Sequence, residues 1–178
     1  MNELVISGLT ISQLGSGLKI GTDALLLAAY IRPCRECAEF GAGSGAISLL
    51  LAARERASHV TAVEIQSSQY GVLASNIEAN GLSEKVTAVL GDIRSYRPPA
   101  HPDAVVTNPP FMKAGGGKSS ADSGLNAARH EMNGDIRDFC SSAAAILGTG
   151  GAFYCAGVPT GWPTSWRPCP KTRSGSGG

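Results

Sequence analysis

Asn108-Pro109-Pro110-Phe111 is the stretch of the chain best suited to chemistry. The two prolines remove two backbone donors and leave only carbonyl acceptors. Pro110 also forces Pro109 toward an extended conformation. The Asn108 side-chain oxygen adds another acceptor. The result is a rigid patch suited to a planar NH2 group, with Phe111 placed to stack on the ring that bears it. A strand-ending turn is the bland alternative.

Three more polar features accompany it. Gly41-Ala42-Gly43-Ser44-Gly45 is a loop in which glycines allow tight turning and close backbone approach to a ligand. Gly41-x-Gly43-x-x-Ala46 also fits the loose dinucleotide fingerprint, so a nicotinamide oxidoreductase is a competing reading. Glu39 argues against it, because a carboxylate just before the loop repels a pyrophosphate and suits a cationic or amine-bearing ligand. Glu64 can accept hydrogen bonds from both hydroxyls of a ribose. Asp92 can accept from the amino group of an adenine. Taken singly, Glu64 reads equally well as a surface acid favoured at a helix N-terminus and Asp92 as a turn residue.

These residues need elements to position them. Leu4 to Gln13 suggests an N-terminal hairpin. Thr22 or Asp23 caps a helix over Ala24 to Tyr30, ended by Pro33. Strands are expected at Cys37–Phe40, Val60–Ile65, Val86–Leu90, Asp103–Thr107 and Ala152–Ala156. Helices are expected at Ala46–Arg54, Ser68–Asn80 with Gly81 as its terminating glycine, and Ile136–Leu147 capped by Asp135. Strand and helix alternate, and the strands are short and mostly apolar. That predicts an α/β fold with a doubly wound, mainly parallel sheet covered on both faces. In such a sheet ligands bind outside the carboxyl ends of the strands. All four polar features fall there, and the coincidence outweighs any one of them. The long loop Met112 to Gly134 is of the kind that is functional or disordered.

Composition bounds the rest. The 178 residues suit about one domain. Fifteen basic and fourteen acidic residues give a net charge of +1, which does not indicate a strongly basic nucleic-acid protein. The longest apolar run, Ala24 to Ile31, is too short to span a membrane. The N-terminus carries no signal peptide pattern, which points to the cytoplasm. Five cysteines form no disulfide frame, and Cys34-x-x-Cys37 lacks a second ligand pair for zinc. No metal is expected; the two cysteines read as small residues entering a strand.

Together these residues resemble a class I S-adenosylmethionine-dependent methyltransferase over roughly residues 13–157. Glu39 to Gly45 resembles the family's first motif, which more often opens with Asp. The resemblance implies a Rossmann-like sheet and S-adenosylmethionine as cofactor, held by Glu39, Gly41, Ala42, Gly43, Gly45, Glu64, Ile65, Asp92 and Ile93. Asn108-Pro109-Pro110-Phe111 is similar to the amino-methylating motif of enzymes acting on adenine N6, guanine N2 or glutamine N5. Gly17-Leu18-Lys19-Ile20-Gly21-Thr22-Asp23-Ala24-Leu25-Leu26-Leu27 and Ala128-Arg129-His130-Glu131 resemble the bacterial tRNA adenine-N6 methyltransferases that act beside the anticodon of a valine tRNA. Lys19 stands where that group is expected to carry Arg, which bears on any bidentate contact. The implied catalytic residues are Asn108, Pro109, Pro110 and Phe111, and the implied partner is tRNA. Phe111, Lys113, Lys118, Arg129 and His130 are the candidate substrate contacts. A protein glutamine N5 or rRNA guanine N2 methyltransferase is the alternative, as is a truncated, inactive domain that only binds.

The expected organisation is an N-terminal hairpin and helix over 1–33, an incomplete methyltransferase domain over 34–157, and a disordered tail over 158–178. The tail holds both tryptophans, four of the ten prolines, and Arg167, Lys171 and Arg173 with no acid. Ordering it costs about 30 kcal/mol, with little apolar area to offset that. The family's fold continues past its fifth strand with a helix and an antiparallel strand pair that this composition cannot build. The tail therefore reads as an out-of-frame ending of a truncated product. The encoding DNA tests this: one of the other two frames should resume a helix and strand pair.

Overall fold

The computed structural model describes residues 2–15, 20–109 and 136–156. Pro110, Phe111, Lys113, Lys118, Arg129, His130, the cap expected at Asp135 and the tail 158–178 lie outside them.

The elements are β1 (Asn2–Ile6), β2 (Leu9–Gln13), α1 (Thr22–Tyr30), β3 (Cys34–Phe40), α2 (Ala46–Ala53), β4 (Ala57–Glu64), α3 (Ser67–Ala79), β5 (Val86–Leu90), β6 (Ala104–Thr107), α4 (Ile136–Ile146) and β7 (Ala152–Cys155). β1 and β2 form an antiparallel hairpin. The other strands form one parallel sheet in the order β5-β4-β3-β6-β7. The chain therefore winds outward in both directions from β3, and the order reverses between β3 and β6. That switch point is where a doubly wound sheet opens a crevice.

Two cores flank the sheet. On one face Ile47, Leu49, Leu50 and Leu51 of α2 pack with Leu27 of α1, Leu73 of α3, and Leu9 and Ile11 of the hairpin. α2 is buried all round from Ala46 to Ala52, which explains why every residue there but Ser48 is apolar. Each of its leucines stabilises the fold by roughly 1.5–3 kcal/mol. On the other face Phe139, Ala143 and Ile146 of α4 cover Phe40, Val63 and Val105.

Several ends differ from the sequence expectation. β3 and β4 begin three residues earlier, at Cys34 and Ala57, which pair with each other. The backbone ladder extends where the side chains turn polar and the apolar pattern has stopped. α1 is capped by Gly21 with no side-chain cap bond, so neither Thr22 nor Asp23 caps it; both already have helical geometry. Gly81 does terminate α3: its φ is +65°, and the Gly81 and Leu82 N–H groups bond back to the Glu78 and Ile77 carbonyls. Cys34 and Cys37 are free thiols within β3. Among the described residues no helix is long and apolar enough to cross a membrane.

Candidate functional site at the carboxyl rim of the sheet

Backbone bonds lock the tips of β3, β4 and β5 together. The Gly41 and Ala42 N–H groups both donate to the Val63 carbonyl, at 2.9 and 3.1 Å, and the Gly91 N–H donates to the Glu64 carbonyl at 2.9 Å. On the other side the buried Thr107 hydroxyl donates to the Phe40 carbonyl at 2.9 Å. This last bond holds the end of β6, and hence Asn108, beside the start of the glycine loop.

The loop itself has two glycines with different duties. Gly45 has φ +83°, and a Cβ there would lie 2.4 Å from Leu73 Cδ1, so the loop packs against the buried Leu73 of α3 as it does only with glycine at this position. Gly43 has φ +56° and, among the described residues, nothing within 4 Å of the point a Cβ would occupy. With its backbone open at the carboxyl rim, Gly43 is a candidate cradle for a ligand.

Two buried carboxylates brace the loop. Glu64 is 4% exposed. Its Oε2 accepts from the Gly43 N–H and its Oε1 from the Gln66 N–H, each at 2.8 Å. Each oxygen keeps a lone pair for a further donor. Glu39 is 3% exposed. Its Oε2 accepts from the Ser48 N–H at 2.8 Å and from the Ser48 hydroxyl. Burial pushes the Glu39 carboxyl up to about 8; the two Ser48 bonds oppose this and the nearby Glu64 charge adds to it. At neutral pH Glu39 is therefore mostly protonated, and a cationic neighbour would ionise it.

Asp92 behaves in the opposite way. Arg94 Nε and Nη2 grip its carboxylate at 2.5–2.9 Å, and the Arg94 N–H adds a bond of 2.8 Å to Oδ1. The Arg94 side chain holds the Asp92 carboxyl below its ordinary value. Asp92 thus stays ionised further into acid than an ordinary aspartate, with both of its oxygens engaged by Arg94 at the tip of β5.

The rim therefore gathers Glu39, the glycine loop, Glu64, Ile65, Asp92 and Asn108. Ile65 is 36% exposed there. The Ala42 and Ile93 side chains turn inward instead, each into one of the two cores. Pro109 is buried and Asn108 half-buried. Among the described residues no cluster of His, Cys, Asp and Glu could hold a metal ion.

Residues 15–155 match the family model of the methyltransferase small domain. The chain belongs to this family. A tRNA1(Val) (adenine(37)-N6)-methyltransferase of Aeromonas hydrophila is 34% identical over 80% of this chain and 60% of its own length. A protein of the same name from a Flavobacteriaceae bacterium is 25% identical over 92% of this chain and 70% of its own. The chain spans about half to 60% of the first curated relatives it matches. Among solved structures, wild-type Trm5b of Pyrococcus abyssi gives a TM-score of 0.59 at 20% identity, over 85% of this chain and 39% of that one. A SAM-dependent methyltransferase of Thiobacillus denitrificans, in complex with S-adenosyl-L-homocysteine, gives 0.52 at 15% identity over 74% of this chain and 46% of that one. These two likenesses concern the Rossmann-like fold.

In this methyltransferase small domain the supporting residues carry no motif of their own. Ser48 and Arg94 act on Glu39 and Asp92, and Thr107 bonds a carbonyl across strands. Asn76 did leave a signal. It lies on the apolar stripe of α3 with Val72, Leu73 and Ile77 and is 2% exposed. A buried amide on such a stripe must have partners. Asn76 Oδ1 accepts from the Ser12 N–H, and its Nδ2 donates to the Ser12 and Ser44 carbonyls, at 2.8–2.9 Å. It ties the hairpin to the glycine loop.

Proposed function

We propose that this chain transfers a methyl group from S-adenosylmethionine to an exocyclic amine, the N6 of an adenine in tRNA. One observation carries the reading: acceptors suited to an amine, a ribose and an adenine line one rim in that order, at the ends of β6, β4 and β5, around an open glycine cradle. The names of the curated relatives support tRNA adenine as the substrate.

The cofactor supplies an electrophilic methyl group on sulfur. Glu39 suits its cationic amino-acid end, Glu64 its ribose hydroxyls, and Asp92 its adenine amine. The open space at Gly43 lets such a ligand approach the loop backbone closely. The Asn108 side-chain oxygen and the Pro109 carbonyl accept the two hydrogens of the target amine. They fix its plane and aim the nitrogen lone pair at the methyl group. Positive charge grows on that nitrogen as the new bond forms, so both acceptors bind more tightly in the transition state than in the ground state. Neither is basic enough to keep a proton, so the proton leaves to water after transfer. Holding the two reactants in line supplies about 7–11 kcal/mol of effective concentration. The target base must be unstacked first, and an anticodon loop already presents bases in that state.

The test is calorimetric titration of S-adenosylmethionine, with NAD as control, followed by methyl transfer to unmodified tRNA. Saturable binding of the first ligand alone is expected. Asn108→Ala is expected to lower turnover about 100- to 1000-fold while sparing cofactor affinity. Full turnover by that variant would remove the amine-acceptor assignment.

A further inference from the structure

Gln13 ends β2 in a place its sequence does not explain. It is 4% exposed, and its buried Nε2 has no hydrogen-bond partner among the described residues. A buried amide donor left unpaired destabilises a fold, so a native one calls for a physical account. Its orientation is fixed: the Ile20 N–H donates to Gln13 Oε1 at 3.3 Å, which settles which end of the amide is oxygen.

The position of Gln13 follows from two asparagines one helical turn apart. Asn80 pairs with both backbone groups of Thr10, at 2.8 and 3.0 Å. Asn76 pairs with both backbone groups of Ser12 and also reaches the Ser44 carbonyl. β2 therefore runs toward the glycine loop, and Gln13 lies one residue beyond the point where strand and loop are joined. The acids at the ends of β4 and β5 are suited to the nucleoside part of a methyl donor. The β3 loop is left for its amino-acid part.

We infer that Gln13 Nε2 is a hydrogen-bond donor to the amino-acid carboxylate of the bound methyl donor. This rests on the S-adenosylmethionine reading above. The carboxylate satisfies the orphaned donor, and Asn76 and Ile20 hold that donor in place. Glu39 then faces the cationic part of the same ligand end and Gln13 the anionic part.

Two ligands that differ at this end test the inference. S-Adenosylhomocysteine has the carboxylate; 5′-methylthioadenosine lacks the whole amino-acid end. Both are titrated into the full chain and into Gln13→Leu and Gln13→Glu. Leu is expected to weaken S-adenosylhomocysteine about tenfold or more, since a bond to a charged group is lost, and to leave 5′-methylthioadenosine unchanged. Glu keeps the acceptor for Ile20 and sets two anions face to face. It is expected to weaken S-adenosylhomocysteine further, again sparing the other ligand, and it decides the matter if the Leu variant does not fold. Equal weakening of both ligands, or of neither, overturns the inference while leaving the methyl-donor reading intact. A wild-type chain that binds neither ligand overturns that reading, and this inference with it.

Discussion

Glu39 and Asp92 are both acids at strand ends, and the protein shifts them in opposite directions. Arg94 keeps Asp92 charged, whereas burial keeps Glu39 neutral against two hydrogen bonds from Ser48. Glu39 rises from an ordinary 4.5 to about 8 in the folded chain. Between those values the folded state holds a proton that the unfolded state has lost. The stability tied to this group is therefore fully present below pH 4.5 and is lost as pH rises toward 8. The slope is about 1.4 kcal/mol per pH unit within that window. Glu39→Gln keeps an acceptor for Ser48 and removes the titration. Urea unfolding at pH 5 and pH 8 should show the variant gaining on the wild type at the higher pH. A stability difference that stays constant across that range would mean Glu39 is not held neutral. The same variant should weaken S-adenosylmethionine, since it removes the anion suited to the ligand's amino group.

The glycine loop, its two flanking helices and the hairpin act as one unit at the scale of elements. Gly45 and Gly43 both have positive φ, so alanine at either carries roughly 1–2 kcal/mol of backbone strain. They differ in their surroundings. Alanine at Gly45 would also overlap the buried Leu73, and forcing a core to repack costs typically about 1–3 kcal/mol more. Gly45→Ala should therefore lose roughly 2–4 kcal/mol in a denaturation curve. Gly43→Ala should lose about half of that and instead abolish calorimetric binding, because its methyl group enters the cradle. Equal stability losses would mean the two glycines do not divide the work. The loop and the alternation of strands and helices were legible in the sequence because glycine spacing and apolar runs are local signals. The starts of β3 and β4 were not, since Arg35, Glu36, Ser58 and His59 interrupt the apolar pattern while Cys34 still pairs with Ala57 and Glu36 with His59. The α1 cap was misplaced because Thr22 and Asp23 are good capping residues, and only the structure shows the helix already under way at Thr22. Glu39, Glu64, Asp92 and Asn108 could be placed at strand ends from sequence alone. Ser48, Arg94 and Gln13 could not, because their meaning lies in partners brought close only by the fold.

At the scale of the whole molecule the sheet is functionally lopsided. β5 and β7 are its two edges, and among the described residues each pairs with one neighbour, β4 or β6. β5 leads into Asp92, whereas β7 carries no site residue. It is a packing joint instead: Phe153 joins the core under α4, while Tyr154 joins the opposite core, stacks edge-on with Tyr30 and accepts from the Arg32 N–H. Local opening of β7 therefore leaves the proposed nucleoside site whole, whereas local opening of β5 would dismantle it. A ligand stabilises the folded state against every opening that destroys its site, and against no other. With S-adenosylhomocysteine at about a hundred times its dissociation constant, amides that exchange through β5 opening or global unfolding should gain about 2.7 kcal/mol of protection. The central strands β3 and β4 belong to that group. Amides of β7 that exchange by local fraying should gain nothing, although β7 and β5 are edges of the same sheet. Hydrogen exchange read strand by strand, with and without the ligand, distinguishes the two edges. Equal gains at β5 and β7 would mean the sheet opens as a single unit. In that case substrate-side substitutions such as Asn108→Ala could not be separated from the cofactor half on the strength of the fold.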